Sequence, residues 1–176
     1  IERLAGAGIL DSPKSILAHC LHLDGRERGL LGRGRAWVAH NPESNQNNGV
    51  GDFDPGGFDD RVLLGTDGLG ADMPASARAA YLAGRARGDM TPLAAYRRLR
   101  RIHEYLEANG FEGDGDNNLI VLDYDPPTPV RPENWPAHVV YGLGARHVES
   151  VVSHGRLIVE RRRLLTAREP EAQAAA

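Results

Sequence analysis

Three short apolar runs constrain this chain more than any other feature of it. "SILAHCL" (15–21), "AWVAHNP" (36–42) and "RVLLGTDG" (61–68) are continuous in apolar residues and do not alternate with polar ones. A strand that is hydrophobic at successive positions is buried on both faces, the habit of parallel sheets covered by helices. Helix-like stretches stand between and after these runs. They are "DGRERGLLGRG" (24–34), with Leu30 and Leu31 facing inward, then residues 75–87, and then 92–109, opened by Thr91-Pro92 as N-cap and first turn. This alternation predicts a parallel α/β sheet or barrel. Residues 43–60, "ESNQNNGVGDFDPGGFDD", read as a long loop rich in Asn, Gly and Asp.

The character of the chain changes near Gly110. "NLIVLDY" (118–124) reads as a strand, followed by the proline-rich connector "DPPTPVRPENWP" (125–136). "HVESVVSHGRLIVE" (147–160) predicts a β-hairpin with His154-Gly155 as its two-residue turn. The Ala-rich stretch after Pro170 is expected to be a disordered tail.

Each of the three early strands places polar groups at its C-terminal end: His19 with Cys20 and His22, then His40-Asn41, then Thr66-Asp67. Parallel α/β folds converge at that edge, where their active sites lie. Turn capping is the competing explanation for a terminal Asp, and Asp72 is expected to cap the next helix. A His and an Asp near one point can share zinc or iron. The Asp can also take a proton from water while the imidazole polarises the bond under attack. The chain lacks the Gly-x-Ser-x-Gly nucleophile elbow and the Gly-x-Gly-x-x-Gly spacing of a dinucleotide fold.

The remaining composition sets bounds. A formal net charge of −3 gives no general attraction to nucleic acid or to anionic membrane. No apolar run approaches the roughly 18 residues that span a bilayer. Cys20 is the only cysteine, which rules out an intrachain disulfide and fits a reducing, cytoplasmic setting. Cys20 itself is expected to be a small buried apolar residue, and His103, His138, His147 and His154 to be structural.

"ILAHCLHLD" (16–24), "VAHNPESNQNNGVG" (38–51) and "VLLGTDGLGADM" (62–73) resemble, in order, three signature segments of the amidohydrolase superfamily. The resemblance is to the branch of aminohydrolases and chlorohydrolases that contains cytosine, guanine and triazine hydrolases. Residues 122–159 are similar to a bacterial aminohydrolase group associated with selenium-dependent purine catabolism. The resemblance implies a fold: strands six to eight of a (β/α)8 barrel over 1–109, then the C-terminal part of a small β-sandwich over 110–165, with 166–176 as tail. It also implies roles. His19 would contact the metal-bound water or the substrate, Asp67 would bind the metal and shuttle the proton, and Asn41 and Asn45 would shape the substrate pocket. The cofactor would be a divalent metal, zinc first and iron second. The substrate would be a small nitrogen heterocycle such as a purine, pyrimidine or triazine, and the full-length parent would form a homo-oligomer.

One departure bears on function. The family's His-x-His pair and its further metal-binding histidine have no counterpart before His19. Cys20-x-His22 belongs to the "AHCLH" motif and cannot replace that pair. The chain is therefore expected to be a C-terminal portion of such an enzyme. The alternative expectation is a catalytically inactive fragment or partner chain that lacks the N-terminal metal ligands.

Overall fold

The computed structural model describes residues 1–88, 90–112, 115 and 117–167. In chain order its first part runs α1 (Glu2–Gly6), β1 (Ile16–Ala18), α2 (Gly25–Arg33), β2 (Trp37–His40), α3 (Pro42–Asn47), β3 (Val62–Leu64), α4 (Met73–Arg87), α5 (Pro92–Arg100) and α6 (Ile102–Ala108). The three strands pair in parallel in the order β1-β2-β3, with Ala39 opposite both Ala18 and Leu63. The α/β character read from the apolar runs is present.

Both faces of the central strand are covered. Val38 joins Leu10, Leu31, Ala36, Phe53, Phe58 and Val62 in one core cluster. Its neighbour Trp37 turns to the opposite face, where it packs with Leu63 and Tyr105, the two rings meeting edge-on at 5.5 Å. Leu31 is fully buried, and burial of such a side chain is worth about 1.5–3 kcal/mol. Arg61, just before β3, donates to the carbonyls of Leu31, Gly32, Gly34 and Ala36 at 2.8–3.2 Å. One guanidinium thus satisfies two carbonyls of the last turn of α2 and two just beyond it, and ties them to the entry of β3.

The helix starts agree with their caps. Asp24 and Glu27 form a reciprocal capping box on α2. Asp72 accepts from Ala75 N–H at 3.0 Å to cap α4, and Thr91 accepts from Ala94 N–H at 3.1 Å to cap α5. Two expectations need correction. Residues 92–109 form two helices, α5 and α6, which meet at Arg101. The stretch read as a loop from residue 43 begins with a helix, α3, which has Pro42 in its first turn.

The second part contains β4 (Leu119–Leu122), a short helical turn α7 (Trp135–Ala137), β5 (Val148–Ser153), β6 (Arg156–Glu160) and β7 (Arg163–Leu164). The strands form an antiparallel sheet in that order. The His154-Gly155 turn adopts positive φ at both residues, 50° and 71°, as a two-residue hairpin requires. Asn118 Oδ1 accepts the His154 N–H at 3.0 Å. Arg78 on α4 donates to the carbonyls of Val140 and Leu143 at 2.8 Å. Residues 168–176, most of the expected tail, lie outside the described residues.

Candidate functional site

The C-terminal ends of β1, β2 and β3 bring the predicted polar residues to one edge. The ladder continues one step past two of the strands: His19 N–H donates to Ala39 O and Gly65 N–H to His40 O, both at 2.9 Å. The backbone then turns sharply. His19, Cys20 and Asp67 take left-handed conformations with φ of 66°, 53° and 53°. Such conformations cost non-glycine residues about 1–3 kcal/mol each and cluster at functional sites.

His19 and Asp67 meet there. His19 Nε2 lies 3.4 Å from Asp67 Oδ2, and each side chain is about two-fifths exposed, at 38% and 41%. Asn45 Oδ1 lies 2.8 Å from His19 Nδ1. An amide oxygen is an acceptor, so this contact places a proton on Nδ1 and turns Nε2 toward Asp67 and the open rim. Asp67 is held on both oxygens. Ser44 donates its hydroxyl to Oδ2 at 2.6 Å, and Gly68 N–H donates to Oδ1 at 2.8 Å. The Ser44 hydroxyl foremost, then the Gly68 N–H and the nearby His19, hold the Asp67 carboxyl below its ordinary value.

Asn41 is buried at the end of β2, and its Oδ1 lies against Gly65, where a Cβ would collide with it. Asn45 is buried on α3, and its Nδ2 has no hydrogen-bond partner among the described residues. His40 is buried and stacked on Phe53 with ring centroids 4.3 Å apart. Burial foremost, then the Arg98 and Arg87 cations, pushes its imidazole down to about 3. It is a neutral packing residue. Cys20 is half-buried, and burial pushes its thiol above the ordinary value, which disfavours the reactive thiolate. His22 is exposed.

Ser44 is a participant that no feature of the sequence singles out. Pro42 in "HNPESN" hints at a helix start, but the bond from Ser44 to Asp67, 23 residues on, leaves no mark in the sequence. A cavity of about 400 Å³ lies elsewhere, lined by Tyr124, Thr128, His138, Arg146 and His147 among others. Its His138 is paired within the wall: Nδ1 bonds Tyr124 Oη at 2.9 Å and Nε2 bonds Thr128 Oγ1 at 3.3 Å. The strand-end pair, which joins a carboxylate, an imidazole and open space, is the better candidate.

A strand-end His and Asp on a parallel α/β sheet, with relatives along nearly the whole chain, point to one class. The likenesses support the aminohydrolase branch of the amidohydrolase superfamily. Among curated proteins it is similar to the 5-methylthioadenosine/S-adenosylhomocysteine deaminase of Syntrophobacter fumaroxidans. That relative is 34% identical over 185 residues, a match covering 94% of this chain and 41% of the relative. The enzyme of the same name from Moorella thermoacetica is 31% identical over 172 residues, covering 88% and 40%. The chain thus spans about two-fifths of the length of these relatives. Among solved structures it resembles a zinc-bound adenosine deaminase from Xanthomonas campestris, with TM-score 0.78 and 21% identity over 99% of this chain and 43% of that one. It also resembles E. coli guanine deaminase, with TM-score 0.71 and 21% identity over 86% and 40%. These structural likenesses show the fold. No protein-family model matches the chain.

Proposed function

We propose that this chain carries part of the active site of a hydrolase that breaks a C–N bond in a small nitrogen heterocycle by attack of water. The observation that carries this reading is the meeting of His19 Nε2 and Asp67 Oδ2 at 3.4 Å, from the ends of β1 and β3. The names of the relatives support a purine-type substrate, with 5-methylthioadenosine or S-adenosylhomocysteine first and adenosine or guanine next. In this reading residues 1–109 are strands six to eight of a (β/α)8 barrel with their helices, and 110–165 are part of a small β-sandwich domain. The lone Cys20 fits a cytoplasmic setting, and no described helix is long and apolar enough to cross a membrane.

The zinc in the Xanthomonas structure supports a divalent metal, with iron as the other candidate. The donor set present here does not complete such a site. Among the described residues no three His, Cys, Asp or Glu side chains converge, and a catalytic zinc takes three protein ligands. Asp67 is of the right kind to be one of them. What His19 and Asp67 supply by themselves is proton handling.

Asp67, kept ionised by Ser44 and Gly68, accepts the proton of the attacking water and returns it to the departing amine nitrogen. His19, oriented by Asn45, directs Nε2 at the incoming oxygen and steadies the tetrahedral intermediate, whose displaced electron pair rests on the ring nitrogen. Asn41 and Asn45 shape the floor beneath the heterocycle. The test is ammonia release from 5-methylthioadenosine, S-adenosylhomocysteine, adenosine and guanine by the full-length gene product. Asp67→Asn should lower turnover by roughly 10²–10⁴-fold, the usual worth of a general base. Unchanged turnover and unchanged metal content in that variant would refute the reading.

A further inference from the structure

The structure assigns Ser44 as a positioning residue, one that locks the Asp67 carboxylate in the orientation that faces His19. This rests on the reading of Asp67 as the reacting carboxylate. Three observations carry it.

The first is the direction of the hydrogen bonds. Asn47 Nδ2 donates to Asn48 Oδ1 at 3.2 Å, Asn48 Nδ2 donates to Ser44 Oγ at 3.3 Å, and Ser44 Oγ donates to Asp67 Oδ2 at 2.6 Å. A hydroxyl has one proton and rotates freely. Here an amide N–H occupies a lone pair of the Ser44 oxygen, so its proton is committed to Asp67. Each link donates toward the carboxylate.

The second is adjacency. Ser44 holds Asp67, and the next residue, Asn45, holds His19. Both ends of the pair are therefore gripped from one turn of α3, and their spacing is set by neighbouring side chains of a single helix. The third is anchorage. Glu43 accepts a hydrogen bond from the buried Ser76 of α4 at 2.6 Å. Glu43, Ser44 and Asn45 thus tie α3 to α4, to the end of β3 and to the end of β1 in succession.

Without Ser44, the exposed Asp67 would keep, among the described residues, the Gly68 hydrogen bond on Oδ1 and the longer 3.4 Å approach of His19, and nothing else would hold its Oδ2 toward His19. The test reads the Asp67 rotamer directly, at one fixed neutral pH, from the Hα–Hβ coupling constants of the ¹³C,¹⁵N-labelled 176-residue chain. The native chain should show the unequal couplings of a single rotamer. Ser44→Ala should show averaged couplings, and Ser44→Thr, which keeps the hydroxyl, should restore the native pattern. If Ser44→Ala does not fold, the exposed Asn48→Ala leaves the hydroxyl but releases its proton, and partial averaging is expected there. Native couplings in Ser44→Ala, or in Asn48→Ala where that variant is the one read, would overturn the assignment. A rigid Asp67 in Ser44→Ala refutes the positioning role alone, whereas a fully active Asp67→Asn refutes the hydrolase reading, so the two failures are distinct.

Discussion

His40 sits beside the candidate pair yet differs from it in kind. It is buried, stacked on Phe53, and its Nδ1 has no hydrogen-bond partner among the described residues. Burial holds its imidazole down at about 3, whereas an unfolded histidine protonates near 6.5. These two values fix the sign of the linkage. Above about pH 6.5 both states are neutral at this residue and stability is full, and below it the unfolded chain gains a proton that the folded chain refuses. Stability is therefore lost progressively between about pH 6.5 and about pH 3, at up to roughly 1.4 kcal/mol for each pH unit. His40→Phe keeps an aromatic ring against Phe53 and removes the titrating group. Its urea midpoint should fall less than that of the native chain between pH 7.5 and 4.5, and equal losses would show that His40 does not set this slope.

At the scale of elements, turn chemistry gives the cleanest prediction. The two-residue turn joining β6 to β7 places Arg161 and Arg162 at φ 46° and 63°. A left-handed conformation costs such residues about 1–2 kcal/mol. Arg162 is engaged, donating to Asp123 Oδ2 at 2.7 Å. Arg161→Asn should raise stability by about 0.5–1 kcal/mol, since Asn and Gly are the residues this turn favours. A higher melting temperature in differential scanning calorimetry checks it. The same local rules made much of the fold legible in advance. Continuous apolar runs marked β1, β2 and β3, Thr91-Pro92 marked the start of α5, and His154-Gly155 marked the hairpin. Helix α3 was not legible, because beyond Pro42 in its first turn little local favours it. Its residues are Pro-Glu-Ser-Asn-Gln-Asn, its N-cap makes no side-chain bond, and its stabilising contacts lie 23 to 33 residues away on Asp67, His19 and Ser76. His19 and Asp67 could be read from their places at strand ends. Ser44 could not, because its role exists only once α3 has formed.

For the molecule as a whole, the two described donors set an expectation about metal. A catalytic zinc uses three protein ligands, and His19 with Asp67 supplies two at most. The 176-residue chain, dialysed with excess zinc and then freed of unbound ion, should retain far less than one zinc per chain by plasma mass spectrometry. Near-stoichiometric tight binding would show that it holds donors beyond this pair. The grip of α3 also bears on where the chain can change length. Each residue inserted into a helix rotates the residues after it by about 100°. One extra residue between Pro42 and Asn45 would therefore swing Ser44 or Asn45 away from its partner and separate the acid from the imidazole. Beyond Asn48 the chain runs through exposed Gly49, Val50, Gly51 and Asp52, where added length costs only the slowly growing entropy of a longer loop. Insertions that remodel the rim thus have a place to go, and it starts immediately after the side chain that keeps the Ser44 proton on Asp67.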